Sequence, residues 1–300
     1  MKLTGAYSAL VTPFDQQGQI DIESYRHFIR FQLDSGISGL VPCGTTGESP
    51  TLTSKEKRTL IQTAIQEANG VVPVIAGTGT NNTAYTIEAT KWAYETGATA
   101  ALVITPYYNK PGQEGLFRHF AAVAEAVPGI QIVIYNVPGR TNVNILPETV
   151  ERLVSQYENI RTIKEASGDL GQILELQRRC GDELTILSGE DGLIVPYMAS
   201  GAKGVISVVS NVMPSQTERL CRYMLEGKGE EALQLQQAMN PFIDLLFVET
   251  NPIPVKFALG LLGFRMGDPR LPLHPFSERW RGPLRKAMEQ LDITLKTEEA

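Results

Sequence analysis

A chain of 300 residues, 42% of them hydrophobic and 20% charged, can bury one substantial core without help from disulfides or metals. Its formal net charge of -6 and its lack of Lys/Arg clusters beyond Arg178-Arg179, which reads as a solvated helix face, exclude a nucleic-acid surface. Cys43, Cys180 and Cys221 are widely spaced and form no CxxC pair. No run of about 18 apolar residues offers a membrane span, and MKLTGAYSALVTPFD lacks the apolar core of a signal peptide. Reduced thiols and a cytoplasmic location are therefore expected.

The first predicted strand, 6–12, leads to a helix with Ile22, Tyr25, Ile29 and Leu33 on one face. A second strand, 38–43, ends in the loop GTTGES, after which Thr53 and Glu56 form a capping box. The helix they open buries Leu60, Ile61, Ala64, Ile65 and Ala68. Strands over 72–77 and 100–105 follow, then an apolar stripe of Leu116, Phe117, Phe120 and Ala124. A fifth strand spans 131–136, and Pro147 suits a helical first turn. Strands over 161–166, 184–189 and 204–209 complete the series, with Pro214 opening the next helix. Such nearly continuous apolar runs suit a parallel sheet covered on both faces.

Eight strand-helix units in roughly 210–230 residues predict an α/β fold of the (β/α)8 TIM-barrel type. On periodicity alone an open doubly wound sheet is the alternative. Beyond residue 226 only helical patterns remain. The expected division is a catalytic barrel over 1–226 and a C-terminal helical extension over 227–300, frayed at LKTEEA.

Catalytic side chains in a barrel project from the C-terminal ends of the strands. There stand Thr45, Thr46, Glu48, Thr78, Tyr107, Tyr108, Tyr135, Asn136, Arg140, Lys164, Glu165, Ser188, Glu190 and Asp191. Lys164 is the most informative, because a buried lysine is costly unless it is paired or neutral. Its position supports equally a neutral amine that attacks a carbonyl and an ion pair with Glu165 or Glu190. Lys256, on a predicted outer helix, reads as structural. Tyr135 is either a core aromatic or a proton carrier beside Lys164, with Thr45 and Tyr108 extending a hydroxyl chain. Arg140 is either solvated or a clamp for a substrate carboxylate. GTTGES and GTGTNN match neither the P-loop nor the GxGxxG pattern. His27, His119 and His274 lack metal-ligand spacing, and no serine sits in a GxSxG elbow.

The motifs PCGTTGES (42–49), TPYYNKP (105–111), YNVPGRT (135–141), IKEASGD (163–169) and GVISVVSN (204–211), with NPIPVK (251–256) in the tail, together resemble the dihydrodipicolinate synthase family. That family belongs to the pyruvate-dependent aldolases, which also include N-acetylneuraminate lyase. The resemblance implies Lys164 as the Schiff-base lysine and Tyr135 as proton donor and acceptor in a relay with Thr45 and Tyr108, the last reaching in from a neighbouring subunit. Thr46 would hold the pyruvate carboxylate, Ile206 would close on the same ligand, and Arg140 would take the carboxylate of L-aspartate 4-semialdehyde. It implies condensation of those two substrates to 4-hydroxy-tetrahydrodipicolinate, the entry to diaminopimelate and lysine synthesis, without metal or organic cofactor, in a homotetramer built as a dimer of dimers.

The paired threonines of GTTGE and the arginine after YNVPG favour the synthase over a sugar-acid or sialic-acid lyase. A catalytically silent binding barrel is the alternative from another class. In lysine-binding members of the family the inhibitor lies near the positions of Ser49, Asn81 and Tyr107. Here Ser54, Lys57 and Tyr85 stand where lysine-sensitive relatives tend to carry His, His and Glu, so weak or absent lysine inhibition is expected.

Overall fold

The computed structural model describes residues 2–296. Eight parallel strands, β1 (Gly5–Ala9), β2 (Gly39–Val41), β3 (Ile75–Gly77), β4 (Ala100–Ile104), β5 (Gln131–Asn136), β6 (Ile160–Glu165), β7 (Thr185–Ser188) and β8 (Gly204–Ser207), lie in the order β2-β1-β8-β7-β6-β5-β4-β3. The ends of this series meet. Leu40 bridges to Val74, the Leu40 N–H donates to the Pro73 carbonyl at 3.0 Å, and the Gly77 N–H donates to that of Pro42 at 3.0 Å. The sheet thus curls into the expected barrel, and the open doubly wound sheet is not adopted.

The helices are α1 (Ile22–Asp34), α2 (Ser54–Ala68), α3 (Thr83–Thr96), α4 (Gln113–Ala126), the short α5 (Pro138–Thr141), α6 (Pro147–Gln156), α7 (Leu170–Cys180), α8 (Ile194–Ala199), α9 (Pro214–Leu225), α10 (Gly229–Leu245), α11 (Ile253–Leu261) and α12 (Glu278–Gln290). The capping box forms as expected: Thr53 Oγ1 accepts from Glu56 N–H, and the Glu56 carboxylate accepts from Thr53 N–H at 2.7 Å. Pro147 and Pro214 each stand in a helical first turn. Some strands are shorter than their apolar runs, because such a run reports burial rather than pairing. Past Ala9, for example, Val11 is buried but its N–H donates to the Asn211 side chain.

Alternation along the strands sorts the core into two layers. Tyr7, Val41, Ile75, Leu102, Tyr135 and Ile206 are among those filling the barrel interior. Their neighbours, including Leu40, Val103, Ile134, Ile163 and Val205, pack beneath the helices, each buried aliphatic contributing about 1.5–3 kcal/mol. Helices α10 to α12 join this outer layer through Met239, Phe242, Leu259 and Leu284, with no strand between them.

Arg178 is exposed as expected, whereas Arg179 is a hub that ties Glu148, Glu151 and Glu175 together. All three cysteines are free and buried. Among the described residues no helix is long and apolar enough to cross a membrane. The end of the predicted frayed tail, 297–300, lies outside the described residues.

Candidate active site

Tyr135 and Lys164 are register partners on β5 and β6, so both side chains enter the barrel. The Lys164 amine lies 4.4 Å from the centroid of the Tyr135 ring, and the two residues are only 6% exposed. Of the two carboxylates considered as partners for Lys164, Glu165 faces the opposite way. It accepts from Asn136 Nδ2 at 3.0 Å, Gln172 Nε2 at 2.9 Å and Ser167 N–H at 2.8 Å. Burial raises its pKa against those donors. Glu190 shares the cleft with Lys164, but the amine forms no ion pair among the described residues. A lysine placed inside the barrel mouth without a bound counter-charge is the arrangement that a carbonyl-attacking amine requires.

The cleft holding Lys164 has a volume of about 540 Å³ and is lined also by Thr45, Thr46, Tyr135, Arg140 and Ile206. Six of the ten residues to which the resemblance gives a catalytic, substrate-binding or regulatory role therefore converge here. A neighbouring cleft of about 480 Å³ contains Ser49, Tyr107 and Lys57, and shares Thr45 and Tyr135 as a common wall with the first. Asn81 lines neither; its carbonyl accepts from Asn109 Nδ2 at 2.9 Å. Tyr108 is 90% exposed on left-handed backbone with φ 69° and lines neither of these two clefts.

The loop carrying the threonines is bracketed by Cys43 and Glu48, both at φ 57°. Left-handed backbone costs an L-residue roughly 1–2 kcal/mol, and contacts from distant segments stabilise it. Thr12 Oγ1 donates to the Gly47 carbonyl at 2.8 Å. Lys256 Nζ donates to Glu48 Oε1 at 3.0 Å, and the Arg270 N–H donates to Glu48 Oε2 at 2.8 Å. Lys256 is thus a buried partner of Glu48, on a helix that is mostly buried rather than outer.

Three further residues at the cleft were given no role from sequence, and a fourth, Glu190, was weighed there only as an ion-pair partner for Lys164. Asn251 and Phe247 reach it from the C-terminal segment; Asn251 Nδ2 donates to Thr46 Oγ1 at 3.0 Å, and its carbonyl accepts from Arg140 Nη2 at 3.4 Å. The Asn in NPIPVK was the available signal. Burial, reinforced by the nearby negative charge of Asp191, pushes the pKa of Glu190 up to about 7. Gly189 makes room for the Lys164 side chain: a Cβ there would stand 3.0 Å from Lys164 Cε and 2.5 Å from the Ala166 methyl.

A (β/α)8 barrel with a buried amine and a phenol at its C-terminal mouth has the layout of a barrel enzyme. The model of the dihydrodipicolinate synthetase family matches residues 2–291. The 4-hydroxy-tetrahydrodipicolinate synthase of Kosmotoga olearia is 51% identical over 96% of this chain and 98% of its own length. The crystal structure of dihydrodipicolinate synthase from Aquifex aeolicus, 44% identical, covers 98% of this chain and 100% of that one with a TM-score of 0.96. That from Acinetobacter baumannii, crystallised with pyruvate, is 39% identical and superposes with a TM-score of 0.95 over 97% of this chain and 100% of its own. The chain belongs to the dihydrodipicolinate synthetase family. It is an enzyme, a lyase that performs the condensation step of diaminopimelate and lysine synthesis.

Proposed function

We propose that this condensation joins pyruvate to L-aspartate 4-semialdehyde through an imine on Lys164. The observation that carries the reading is the Lys164 amine, buried beside the Tyr135 ring and without an ion pair among the described residues. In its neutral form the amine attacks C2 of pyruvate, while Thr46 holds the carboxylate and Ile206 closes on the same ligand. Tyr135 gives a proton to the carbinolamine oxygen, which leaves as water. The resulting iminium draws electrons from C3, and loss of a C3 proton yields the enamine. Its C3 adds to the aldehyde carbon of the second substrate, whose carboxylate is held by Arg140. The amine of that substrate then attacks C2 and displaces Lys164 as the ring closes to 4-hydroxy-tetrahydrodipicolinate.

Tyr135 needs a route for protons, because a phenol acting alone is a poor base. Thr45, on the wall common to both clefts, supports such a route. Tyr108 would complete it in a neighbouring copy, which fits its exposure in its own chain and a homotetramer built as a dimer of dimers. The sequence is written without metal or organic cofactor and suits a cytoplasmic enzyme. Ser49, Tyr107 and Asn81 would mark a regulatory region that binds lysine weakly or not at all.

The test is borohydride reduction in the presence of pyruvate, followed by mass mapping. A pyruvate-derived adduct on Lys164, absent from Lys164→Ala together with turnover, supports the route. Unlabelled Lys164 in a turning-over enzyme overturns it.

A further inference from the structure

We infer that Asn251 is a positioning residue that turns Thr46 into a committed hydrogen-bond donor toward the substrate carboxylate. This rests on the reading that Thr46 holds that carboxylate. Asn251 lies between α10 and α11, far along the chain from the barrel strands, yet it is 5% exposed and on the cleft wall. A threonine hydroxyl has one proton and two lone pairs. With Asn251 Nδ2 donating to Thr46 Oγ1 at 3.0 Å, the Thr46 proton has to point elsewhere. The Thr46 hydroxyl makes no other hydrogen bond among the described residues, so its proton is unspent. A carboxylate accepts only, so it is matched by a hydroxyl whose proton is directed outward.

Two observations argue that this contact serves the site rather than folding alone. Asn251 Oδ1 is buried without a partner among the described residues, a state that usually calls for an explanation. In addition, the strained loop carrying Thr46 is already held at Gly47 by Thr12 and at Glu48 by Lys256 and Arg270. The Asn251 bond therefore adds direction to the hydroxyl more than it adds anchorage to the loop.

The experiment is a double-mutant cycle read in substrate constants. Thr46→Val, Asn251→Ala, their combination and Asn251→Asp are compared with the unaltered enzyme, with KM for pyruvate and for the semialdehyde measured separately. Asn251→Ala is expected to raise the pyruvate KM roughly tenfold, to leave the semialdehyde KM within about twofold, and to add nothing on the Thr46→Val background. Asn251→Asp preserves shape but only accepts, so it draws the Thr46 proton away and raises the pyruvate KM at least as much. A packing role would make it the milder change.

Independent, multiplying effects in the double variant, or a loss confined to the semialdehyde KM, overturn the inference while leaving the role of Thr46 standing. An unchanged pyruvate KM in Thr46→Val overturns that role and the inference with it. Should Asn251→Ala fail to fold, Asn251→Asp decides: an unaltered pyruvate KM there overturns the inference.

Discussion

Tyr135 faces Lys164 across one pair of neighbouring strands, and the ring, not the hydroxyl, is what the amine overlies. Packing between the two residues is thus carried by the aromatic face, while the hydroxyl is left for chemistry. Tyr135→Phe should keep the fold and the pocket. Turnover is expected to fall by about 10²–10⁴, with slower trapping of the pyruvate adduct and an unchanged melting temperature. A rate within twofold of the unaltered enzyme would remove Tyr135 from proton transfer.

Glu190 gives a pH signature. Its folded pKa of about 7 lies above the ordinary 4.5, so the folded state binds its proton more tightly than the unfolded one. That contribution is fully present below pH 4.5 and is lost as pH rises through 7. Glu190→Gln should flatten this loss, raising stability at pH 8 relative to the unaltered protein by on the order of 1–2 kcal/mol after allowance for partial exposure. Urea denaturation at pH 5 and pH 8 measures it. Equal pH dependence in both proteins would mean that the carboxylate titrates normally.

The Lys256–Glu48 pair, with both side chains almost wholly buried, predicts a strong asymmetry between single and double changes. Lys256→Met leaves a buried charge alone and should cost about 3–5 kcal/mol. Adding Glu48→Gln should recover much of that, since the amide oxygen can still accept from the Arg270 N–H. Chemical denaturation of the two variants tests this, and a double change worse than the single one would contradict it.

Regulation by lysine is expected to be weak. Lys57 brings a positive charge into the cleft beside Ser49 and Tyr107; the Tyr85 hydroxyl is 2.9 Å from Ser54 Oγ, and the neighbouring Glu88 carboxylate is already paired with Arg58 at 3.2 Å. Turnover should be unaffected by micromolar lysine. Half-inhibition in that range would show that the cleft recognises lysine by other groups.

What was legible in the sequence depended on whether the signal was periodic or local. Lys164 and Tyr135 could be placed because strand alternation fixes the direction of a side chain once the strand is found. Thr45 and Thr46 could be named as candidates because catalytic side chains gather at the C-terminal ends of barrel strands, while their particular roles came from the family resemblance. The ion-pair alternative for Lys164 was undecidable beforehand: whether Glu190 pairs with the amine depends on loop geometry that residue order does not encode. Asn251 and Phe247 were missed for a related reason, since a helical tail carries no rule for which residue returns to the barrel mouth. Lys256, placed on an outer helix, lies at one that packs inward, because its amphipathic pattern could not reveal Glu48 as a partner. Tyr108 shows the limit of a single chain, since its proposed role requires a second copy.

Gly189 has a kinetic consequence. On the proposed imine route, collapse of a tetrahedral carbinolamine to a planar imine would change the shape of the Lys164 nitrogen and swing its methylene arm. The missing side chain at position 189 leaves the swing volume for that arm beside Lys164 Cε. A methyl group there would collide with the Ala166 methyl and press on Lys164 Cε even at rest, so Gly189→Ala would displace the lysine arm as well as crowd its motion.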